Sequence, residues 1–406
     1  MINLELPKKI EDTRALLRQF AEGGLRPLSR KYDLAEQKEM PEELYELAKL
    51  LRARPDRGRD AGTGTGTSAV ESGSANVNGS NMSMVVSSAE LCWGDVGLFL
   101  ALPSIGLGNA AVSAVATEEQ KAEWGELFAA MAITEPGAGS DSAAIKTTAV
   151  LDGDEWVLNG EKIFVTDGYR SKQVVVWASL DLKLGKAAIK SFLVPKGTPG
   201  MTVTRVEHKL GIRASDTAQI VFENCRVPKA NILGNPEIAE TAEARKKAFG
   251  GVMQTFDNTR PMVAAQAVGL ARAALDLTLE LLGEQGIELD YDKGYHQMSA
   301  LENDLYELEA EYESARLLVL KAAWMADNKQ PNSKNASMSK AKAGRMGNQV
   351  ALKCVEICGQ LGYSKTHLLE KFARDSKIID IYEGTQQIQQ LIVARQVLGK
   401  SSSELK

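Results

Sequence analysis

The sequence has few of the residues that build metal centres or disulfide frameworks. Its 406 residues include four cysteines and three histidines. These residues are scattered along the chain, at Cys92, Cys225, Cys354, Cys358, His208, His296 and His367. Cys354 and Cys358 fall one helical turn apart, but no further ligand stands near them in the sequence. We therefore expect no metal site, reduced cysteines and a cytoplasmic location.

Excess positive charge and long apolar runs are also missing. The formal net charge is -5 at pH 7, which excludes a basic nucleic-acid-binding protein. No uninterrupted apolar run approaches the roughly 18 residues that a membrane span needs, so we expect no span. The first residues, MINLELPKKIEDTR, lack the charged and then apolar pattern of a signal peptide.

The length allows two or three domains around a large core. Residues 1–128 form the first predicted domain, which is helical. Its predicted helices cover 8–27, ended by Pro27, and then 41–53, 82–92, 96–115 and 117–124. The stretch 53–81 is rich in Gly, Ser and Thr but lacks the Lys-Ser/Thr of a phosphate-binding P-loop, so we expect a surface loop.

From Ala129 the pattern changes to short apolar or alternating runs broken by Gly, Pro, Asp and Asn, which predicts a β domain over 129–236. Asp152–Asp154 and Asn159–Glu161 are typical hairpin sequences. Further strands are predicted at 174–179, 189–195, 201–206 and 218–222. Helical periodicity returns in the third predicted domain, 237–406, at about 238–282, 294–328, 334–361, 365–373 and 386–398.

The stretch Arg374–Gln389, RDSKIIDIYEGTQQIQ, is the most informative in the chain. Glu383 stands between Tyr382 and Gly384, and a glycine lets backbone approach a ligand closely. A carboxylate at the mouth of an apolar helix pair would be poorly solvated, which raises its pKa and makes it a stronger base. The residues alone favour the simpler interpretation, a solvated Glu at a helix N-terminus.

Three other stretches could bind a ligand or could be ordinary structural elements. Ile133–Asp141 contains two glycines and the hydroxyls of Thr134 and Ser140, which suit a flat or anionic ligand or an ordinary Gly-Pro turn. Lys162–Gly168 looks like a strand that ends in a turn. In Phe256–Pro261, an Asp and an Arg three residues apart share a helix face, as in a plain surface ion pair.

Together, and in their order along the chain, these stretches resemble motifs of the acyl-CoA dehydrogenases. The resemblance covers the chain from about Lys8 to Gly399. The resemblance implies an α+β fold, mostly α, with an N-terminal helical domain, a barrel-like or sandwich-like middle β domain and a C-terminal four-helix bundle. It implies FAD as cofactor, bound by Ile133, Thr134, Gly139, Ser140, Phe164, Val165, Thr166, Thr385 and Gln387. It implies substrate contacts from Ser140, Asp257, Arg260, Tyr382 and Gly384.

The resemblance also implies the reaction. Glu383 would remove a proton alpha to a CoA thioester carbonyl while the beta carbon passes a hydride to flavin N5, as in fatty acid β-oxidation. Some family members place the base at the position of Thr259, so Glu383 is the expected base here. The Glu383 backbone N–H and a flavin ribityl hydroxyl would hold the carbonyl oxygen. We expect Gly97–Gly108 to line part of the acyl cavity.

The expected electron acceptor is an electron-transferring flavoprotein. Two alternatives stay open: an acyl-CoA oxidase, which would pass electrons to oxygen, and a partner subunit that holds no working flavin. Peroxide formation would identify the oxidase. The intact Glu383, Thr134 and Thr166 argue against the partner subunit.

The chain departs from the family where a subunit normally reaches its neighbour's FAD. The family usually carries an Arg, two residues and Phe-Gly, but Gly283–Asp292 reads GEQGIELDYD. The family's Gln-x-x-Gly-Gly is Glu356–Gln360 here. A carboxylate ~4 Å from a diphosphate charge costs on the order of 4 kcal/mol. We therefore expect a heterotetramer with a related chain, or a homotetramer with altered FAD contacts.

Overall fold

The computed structural model describes residues 6–35, 42–52, 77–103, 106–238, 242–401 and 404, with backbone only for 52 and 242–258. The chain begins with helices α1 Lys8–Phe20, α2 Ser29–Ala35, α3 Glu42–Arg52, α4 Ser80–Gly94, α5 Val96–Ala101, α6 Leu107–Val115 and α7 Glu118–Trp124. Most of the predicted loop 53–81, residues 53–76, lies outside the described residues, and its last two residues begin α4.

Pro27 and Pro103 account for two differences between the predicted and the observed helices of this region. Pro27 does not end the helical path, because it lies in the first turn of a short 3-10 segment, Arg26–Leu28, where its missing N–H is tolerated. The predicted helix 96–115 is divided into α5 and α6. Leu102, which precedes Pro103, has extended backbone angles, as the residue before a proline prefers.

The middle region forms a seven-stranded sheet. Its strands are β1 Ala129–Ala132, β2 Thr148–Asp152, β3 Glu155–Thr166, β4 Gln173–Ser179, β5 Ile189–Pro195, β6 Met201–Val206 and β7 Thr217–Pro228. The order is β1-β4-β2-β3-β7-β6, and β5 also pairs with β4. Leu158, Val176, Phe192, Ile220 and Phe222 lie in its buried core.

Of the two predicted hairpins, the structure contains one. Asp152–Asp154 joins β2 to β3, with Gly153 at φ 64°. The hairpin predicted at Asn159–Glu161 is wrong, because these residues continue β3. Gly160 stands there for a different reason: a Cβ at this position would lie 2.4 Å from Oγ1 of Thr147. The glycine therefore allows a close crossing of two backbones rather than a turn.

The C-terminal region is helical: α8 Ala242–Glu284, α9 Ala300–Asp327, α10 Ser333–Ile357, α11 Gly359–Tyr363, α12 Leu369–Ile379 and α13 Gln386–Leu398. Helices α8, α9, α10 and α12 pack together with α4 around an alanine-rich core. Ser299 and Glu302 form the capping box that starts α9 later than the predicted 294. The predicted helix 365–373 is displaced to α12. The α+β, mostly helical fold class is confirmed.

One helix segment, Thr259–Glu284 of α8, is long and apolar enough to cross a membrane by length and composition. Its best window has a mean hydropathy of 1.3, although charged residues interrupt it. The fold buries 72% of that window. The segment therefore serves as the central core helix of the C-terminal region.

A buried ionic network joins all three regions at the start of α12. The Lys371 ammonium lies 2.6 Å from an Asp95 carboxylate oxygen and also contacts Asp375. Asp375 in turn accepts a hydrogen bond of 2.6 Å from the backbone N–H of Ile212, and the Ser29 hydroxyl donates to Asp95. Burial lowers the pKa of Lys371, but the two carboxylates outweigh burial and raise it overall. The network fixes α12, which leads directly to Glu383.

Candidate active site

Glu383 lies in the turn Asp380–Thr385, which connects α12 to α13 and is called the Glu383 turn below. Glu383 has φ 53° and Gly384 has φ 88°, so two consecutive residues adopt left-handed backbone. A non-glycine residue in this region is strained and persists only where its surroundings hold it. Thr385 ends the turn by capping α13, since its side chain accepts a hydrogen bond from the Ile388 N–H.

Buried side chains from α10 and α13 hold the Glu383 turn. The Lys340 ammonium donates to the Gly384 carbonyl oxygen at 2.7 Å. The side-chain amide of Gln389 donates to the carbonyl oxygens of both Glu383 and Gly384, at 3.2 Å each. Lys340 is 1% exposed and Gln389 is fully buried. The strained backbone is therefore fixed from inside the protein.

The Glu383 side chain is partly buried and lies near two positive groups. Burial raises its pKa, and the charges of Lys340 and Arg260 oppose that rise without cancelling it. A carboxylate with a raised pKa is a stronger base near neutral pH than a solvated one. This environment contradicts the interpretation of Glu383 as an ordinary solvated residue at a helix N-terminus.

Glu383 lies at a cleft whose space, open solvent included, amounts to about 480 Å³. Helix α6 forms one wall with small and apolar side chains, and strands β1, β4 and β5 form the other. The lining residues are Leu107, Ala110, Ala111, Ala114, Val115, Met131, Trp177, Ser191, Thr259 and Glu383. Glu383 is the one ionisable side chain among them, so it faces a largely apolar volume.

The cleft overlaps little with the segment expected to line it. Of the residues described within Gly97–Gly108, Leu107 alone is among the lining residues, and the rest of the α6 wall comes from the next two turns. Leu98, Ala101 and Leu102 instead pack into the N-terminal core. The break before Pro103 turns α5 towards that core and leaves α6 against the sheet.

The two stretches predicted to bind flavin, Ile133–Asp141 and Lys162–Gly168, are called the flavin segments below and lie side by side. The Ile163 N–H donates to the Thr134 carbonyl oxygen at 2.9 Å, and the Lys162 ammonium donates to the Ile133 carbonyl oxygen at 2.9 Å. Phe164 has φ 56° and is 60% exposed. An exposed apolar ring on strained backbone suits contact with a flat partner.

The loop after β1 offers backbone and hydroxyl groups beside that ring. A Cβ added at Gly137 or Gly139 would meet no atom within 4 Å, so this backbone faces open space. Ser140 is exposed, and Ile133, Thr134 and Thr166 are half-buried. These groups fit a cofactor with an aromatic ring system and polar edges. Val165 differs, because its side chain lies in the sheet core and leaves only its backbone for a ligand.

Sequence reasoning missed a buried ion pair that holds the first flavin segment in place. Glu135 and Lys162 approach to 2.7 Å, and Glu135 also accepts hydrogen bonds from Lys146 and Thr147. Burial lowers the pKa of Lys162 to about 8. Burial also works to raise the pKa of Glu135, but its hydrogen bonds from Lys162 and Thr147 lower it overall. No local signal in the sequence marked this pair, because the strand that contains Lys162 also carries Glu155, Asn159 and Glu161.

The remaining predicted site residues, Tyr382, Arg260 and Gln387, differ in burial and in their contacts. The Tyr382 hydroxyl donates to the side-chain oxygen of Gln266, and its ring packs against the C-terminal core. Arg260 is buried and approaches the Ser337 hydroxyl at 3.5 Å rather than lying at an open mouth. Gln387 is exposed in the first turn of α13. The Asp257 side chain lies outside the described residues.

The fold and the site define an enzyme class. A sheet set between helical regions, a poorly solvated carboxylate at an apolar cleft and an exposed aromatic ring beside a glycine-containing loop suit an oxidoreductase that uses a flat organic cofactor. Among the described residues, no cluster of His, Cys, Asp or Glu suits a metal ion.

Comparison with known proteins identifies the family. The acyl-CoA dehydrogenase middle-domain model matches residues 130–225, and the C-terminal-domain model matches residues 249–398. The mitochondrial short-chain specific acyl-CoA dehydrogenase of Bos taurus is 40% identical over 70% of this chain and 67% of its own length. The short-chain specific acyl-CoA dehydrogenase of Clostridium acetobutylicum is 33% identical over 98% of this chain and 100% of its own.

A solved structure agrees. The glutaryl-CoA dehydrogenase of Mycobacterium smegmatis in complex with FADH2 is 26% identical, with a TM-score of 0.78 over 98% of this chain and 96% of its own. The chain therefore belongs to the acyl-CoA dehydrogenase family, whose members are FAD-dependent oxidoreductases.

Proposed function

We propose that this acyl-CoA dehydrogenase introduces an α,β double bond into an acyl-CoA thioester with Glu383 as the catalytic base. The single observation that supports this role most is the position of Glu383, which a strained and internally held turn places at the apolar cleft. The proton on the alpha carbon passes to the Glu383 carboxylate. FAD, when bound, accepts the hydride that leaves the beta carbon, so the substrate loses two electrons and two hydrogens.

The backbone of Glu383 supplies a second function. In the described part of the chain, no acceptor receives a hydrogen bond from the Glu383 N–H. This donor is therefore available to a thioester carbonyl oxygen, whose negative charge grows as the alpha proton leaves. The apolar α6 wall keeps water from the carboxylate, which preserves its basicity.

The residues proposed for FAD are those of the two flavin segments. Phe164 would cover the ring system, Thr134 and Thr166 would donate or accept at its polar edge, and the glycine-containing loop would approach it with backbone. Thr385 is less available than expected, because its hydroxyl already caps α13. We propose that electrons then pass to an electron-transferring flavoprotein. Steady peroxide production under air would instead indicate the oxidase alternative.

Replacing the base tests the proposed reaction. Glu383→Gln should lower the rate of anaerobic flavin reduction by acyl-CoA by about 10²–10⁴-fold, because an amide cannot accept the proton. Flavin absorbance should show that FAD remains bound. Glu118→Gln, at a side chain 87% exposed on α7, is the matched control and should retain activity. A fully active Glu383→Gln would place the base elsewhere.

We also propose that the chain works in a tetramer. Large apolar side chains on the C-terminal helices are exposed in the single chain, as expected of a subunit interface. They include Tyr306, Leu352, Tyr363, Val397 and Leu398. The segment 283–292, with its acidic side chains, is exposed almost throughout. Because it lacks a cation for a neighbour's diphosphate, we propose a related chain as partner, with a homotetramer as the alternative.

A further inference from the structure

Lys340 is a buried cation that the proposed reaction does not use. It lies on α10, is 1% exposed and donates to the Gly384 carbonyl oxygen at 2.7 Å. The charged groups that face it among the described residues are Glu383, Asp380 and Arg260, and Lys377 lies 3.4 Å from Asp380. In this part of the chain, no carboxylate oxygen lies within 4.0 Å of the Lys340 ammonium.

Burial of the Lys340 ammonium lowers the stability of the fold, so stability does not explain why a lysine stands here. A buried ammonium loses its hydration, and one hydrogen bond to a carbonyl compensates less than a direct ion pair. Burial accordingly lowers the pKa of Lys340 to about 8, although Asp380 and Glu383 oppose the change. The neighbouring Gln389 shows that a neutral amide can hold the same carbonyl oxygen, at 3.2 Å. The positive charge therefore requires an explanation besides holding the backbone.

We infer that Lys340 is a positioning residue for Glu383: its ammonium holds the left-handed turn at Gly384 and supplies positive charge that favours the ionised carboxylate. The inference rests on the proposed role of Glu383 as base. In this inference, Gln389 and Lys340 support the Glu383 turn in different ways. Gln389 supplies neutral hydrogen bonds from α13, whereas Lys340 supplies a hydrogen bond and a charge from α10.

The charge has a defined chemical consequence. The dry cleft drives the pKa of Glu383 up, and a base that is too strongly protonated at neutral pH is inactive. The charges of Lys340 and Arg260 limit the rise. Loss of either charge should leave Glu383 protonated over a wider pH range. Arg260 is a poorer subject for the test, because it lies beside Thr259 in the cleft wall.

The test compares Lys340→Gln, Lys340→Met, Lys340→Arg and the control Lys342→Met. Gln removes the charge but keeps a donor for Gly384, Met removes both, and Arg keeps both. Lys342 is a half-buried lysine on the same helix that pairs with Glu311. The measurement is the rate of anaerobic flavin reduction by butyryl-CoA from pH 5.5 to 9.5.

The rate rises with pH as Glu383 ionises, so the midpoint of the acidic limb reports that ionisation. We expect the midpoint to move to higher pH by ~1 unit or more in Lys340→Gln and Lys340→Met. Lys340→Arg and Lys342→Met should keep it near the wild-type value. In addition, Lys340→Met should lower the limiting rate at high pH more than Lys340→Gln, since it loses the hydrogen bond to Gly384.

An unchanged midpoint in Lys340→Gln, with a rate lowered equally at every pH, would overturn the inference and leave Lys340 a structural residue. If Lys340→Met does not fold, the comparison of Gln with Arg still decides. Failure of the proposed function would look different. In that case Glu383→Gln would remain active, or no acyl-CoA would reduce the wild-type flavin.

Discussion

Asp167 and Asp216 bring two carboxyl groups into the interior beside the turn that follows Thr166. Both side chains are more than nine-tenths buried, and the Asp167 N–H donates to the Asp216 carbonyl oxygen. The Arg170 side chain lies 3.4 Å from Asp216. Burial raises the pKa of both carboxyl groups, and the charge of Asp216 raises that of Asp167 further. The pair therefore holds more protons in the folded state than in the unfolded chain.

We expect Asp167→Asn to stabilise the protein at alkaline pH. The raised folded-state pKa means that the wild type loses stability as pH rises from the unfolded value of about 4 through the folded value. The amide avoids this loss, so the unfolding free energy at pH 8 should increase by about 1–3 kcal/mol, and the gain should vanish near pH 4. Urea denaturation at both pH values measures it. A destabilised variant at pH 8 would show that the fold requires the ionised carboxylate.

A functional residue could be predicted from the sequence only where the residues next to it form a recognisable pattern. Glu383 was recognisable because the stretch around it resembles a family motif, whereas its residues alone favoured a solvated side chain. Nothing local marks Lys340 or Gln389 as supports of its turn, since tertiary packing alone brings them to the Gly384 carbonyl. The sequence, through that resemblance, could therefore predict a poorly solvated carboxylate and the direction of its pKa shift, but not the groups that hold its turn.

At the scale of elements, glycine shows how one residue type serves different structures. Gly153 follows the expected hairpin rule with φ 64°. Gly160 pairs with Phe222 of β7 just after a register shift and allows Thr147 to approach. The pattern Asp-Gly predicted the first use, but the pattern Asn-Gly could not predict the second, because Thr147 belongs to a separate stretch of chain. Helix boundaries were missed for a similar reason at Pro27, whose tolerated position depends on a 3-10 turn.

Gly160→Ala should be strongly destabilising. Its Cβ would lie 2.4 Å from the Thr147 hydroxyl oxygen and 2.7 Å from the Thr147 Cα, so backbone must move. Overpacking of this kind costs about 1–3 kcal/mol, and we expect a loss of that size in urea denaturation. Gly283→Ala is the matched control, since its added Cβ meets nothing within 4 Å. Equal stability of the two variants would show that β3 adjusts without strain.

At the scale of the whole molecule, the predicted parts of the cofactor site differ in charge. One chain contains the two predicted flavin segments, the Glu383 turn and the cleft. The parts expected to reach a neighbour's FAD are acidic: Glu356 is 69% exposed and pairs with Lys353 at 2.8 Å. The segment 284–298 is exposed almost throughout. It contacts α9 at Glu302, which accepts hydrogen bonds from Lys293 and Asp290.

Counting flavins tests the assembly that this asymmetry predicts. Purified alone, the chain should bind well below one FAD per chain, because a carboxylate ~4 Å from a diphosphate charge costs on the order of 4 kcal/mol. Glu356→Gln removes that repulsion and should raise the occupancy, whereas the exposed control Glu118→Gln should not. Co-purification with a related chain that supplies a cation should give one FAD for each Glu383. One FAD per chain in a stable homotetramer would instead establish the homotetramer, since the acidic segments then make no repulsive contact with the cofactor.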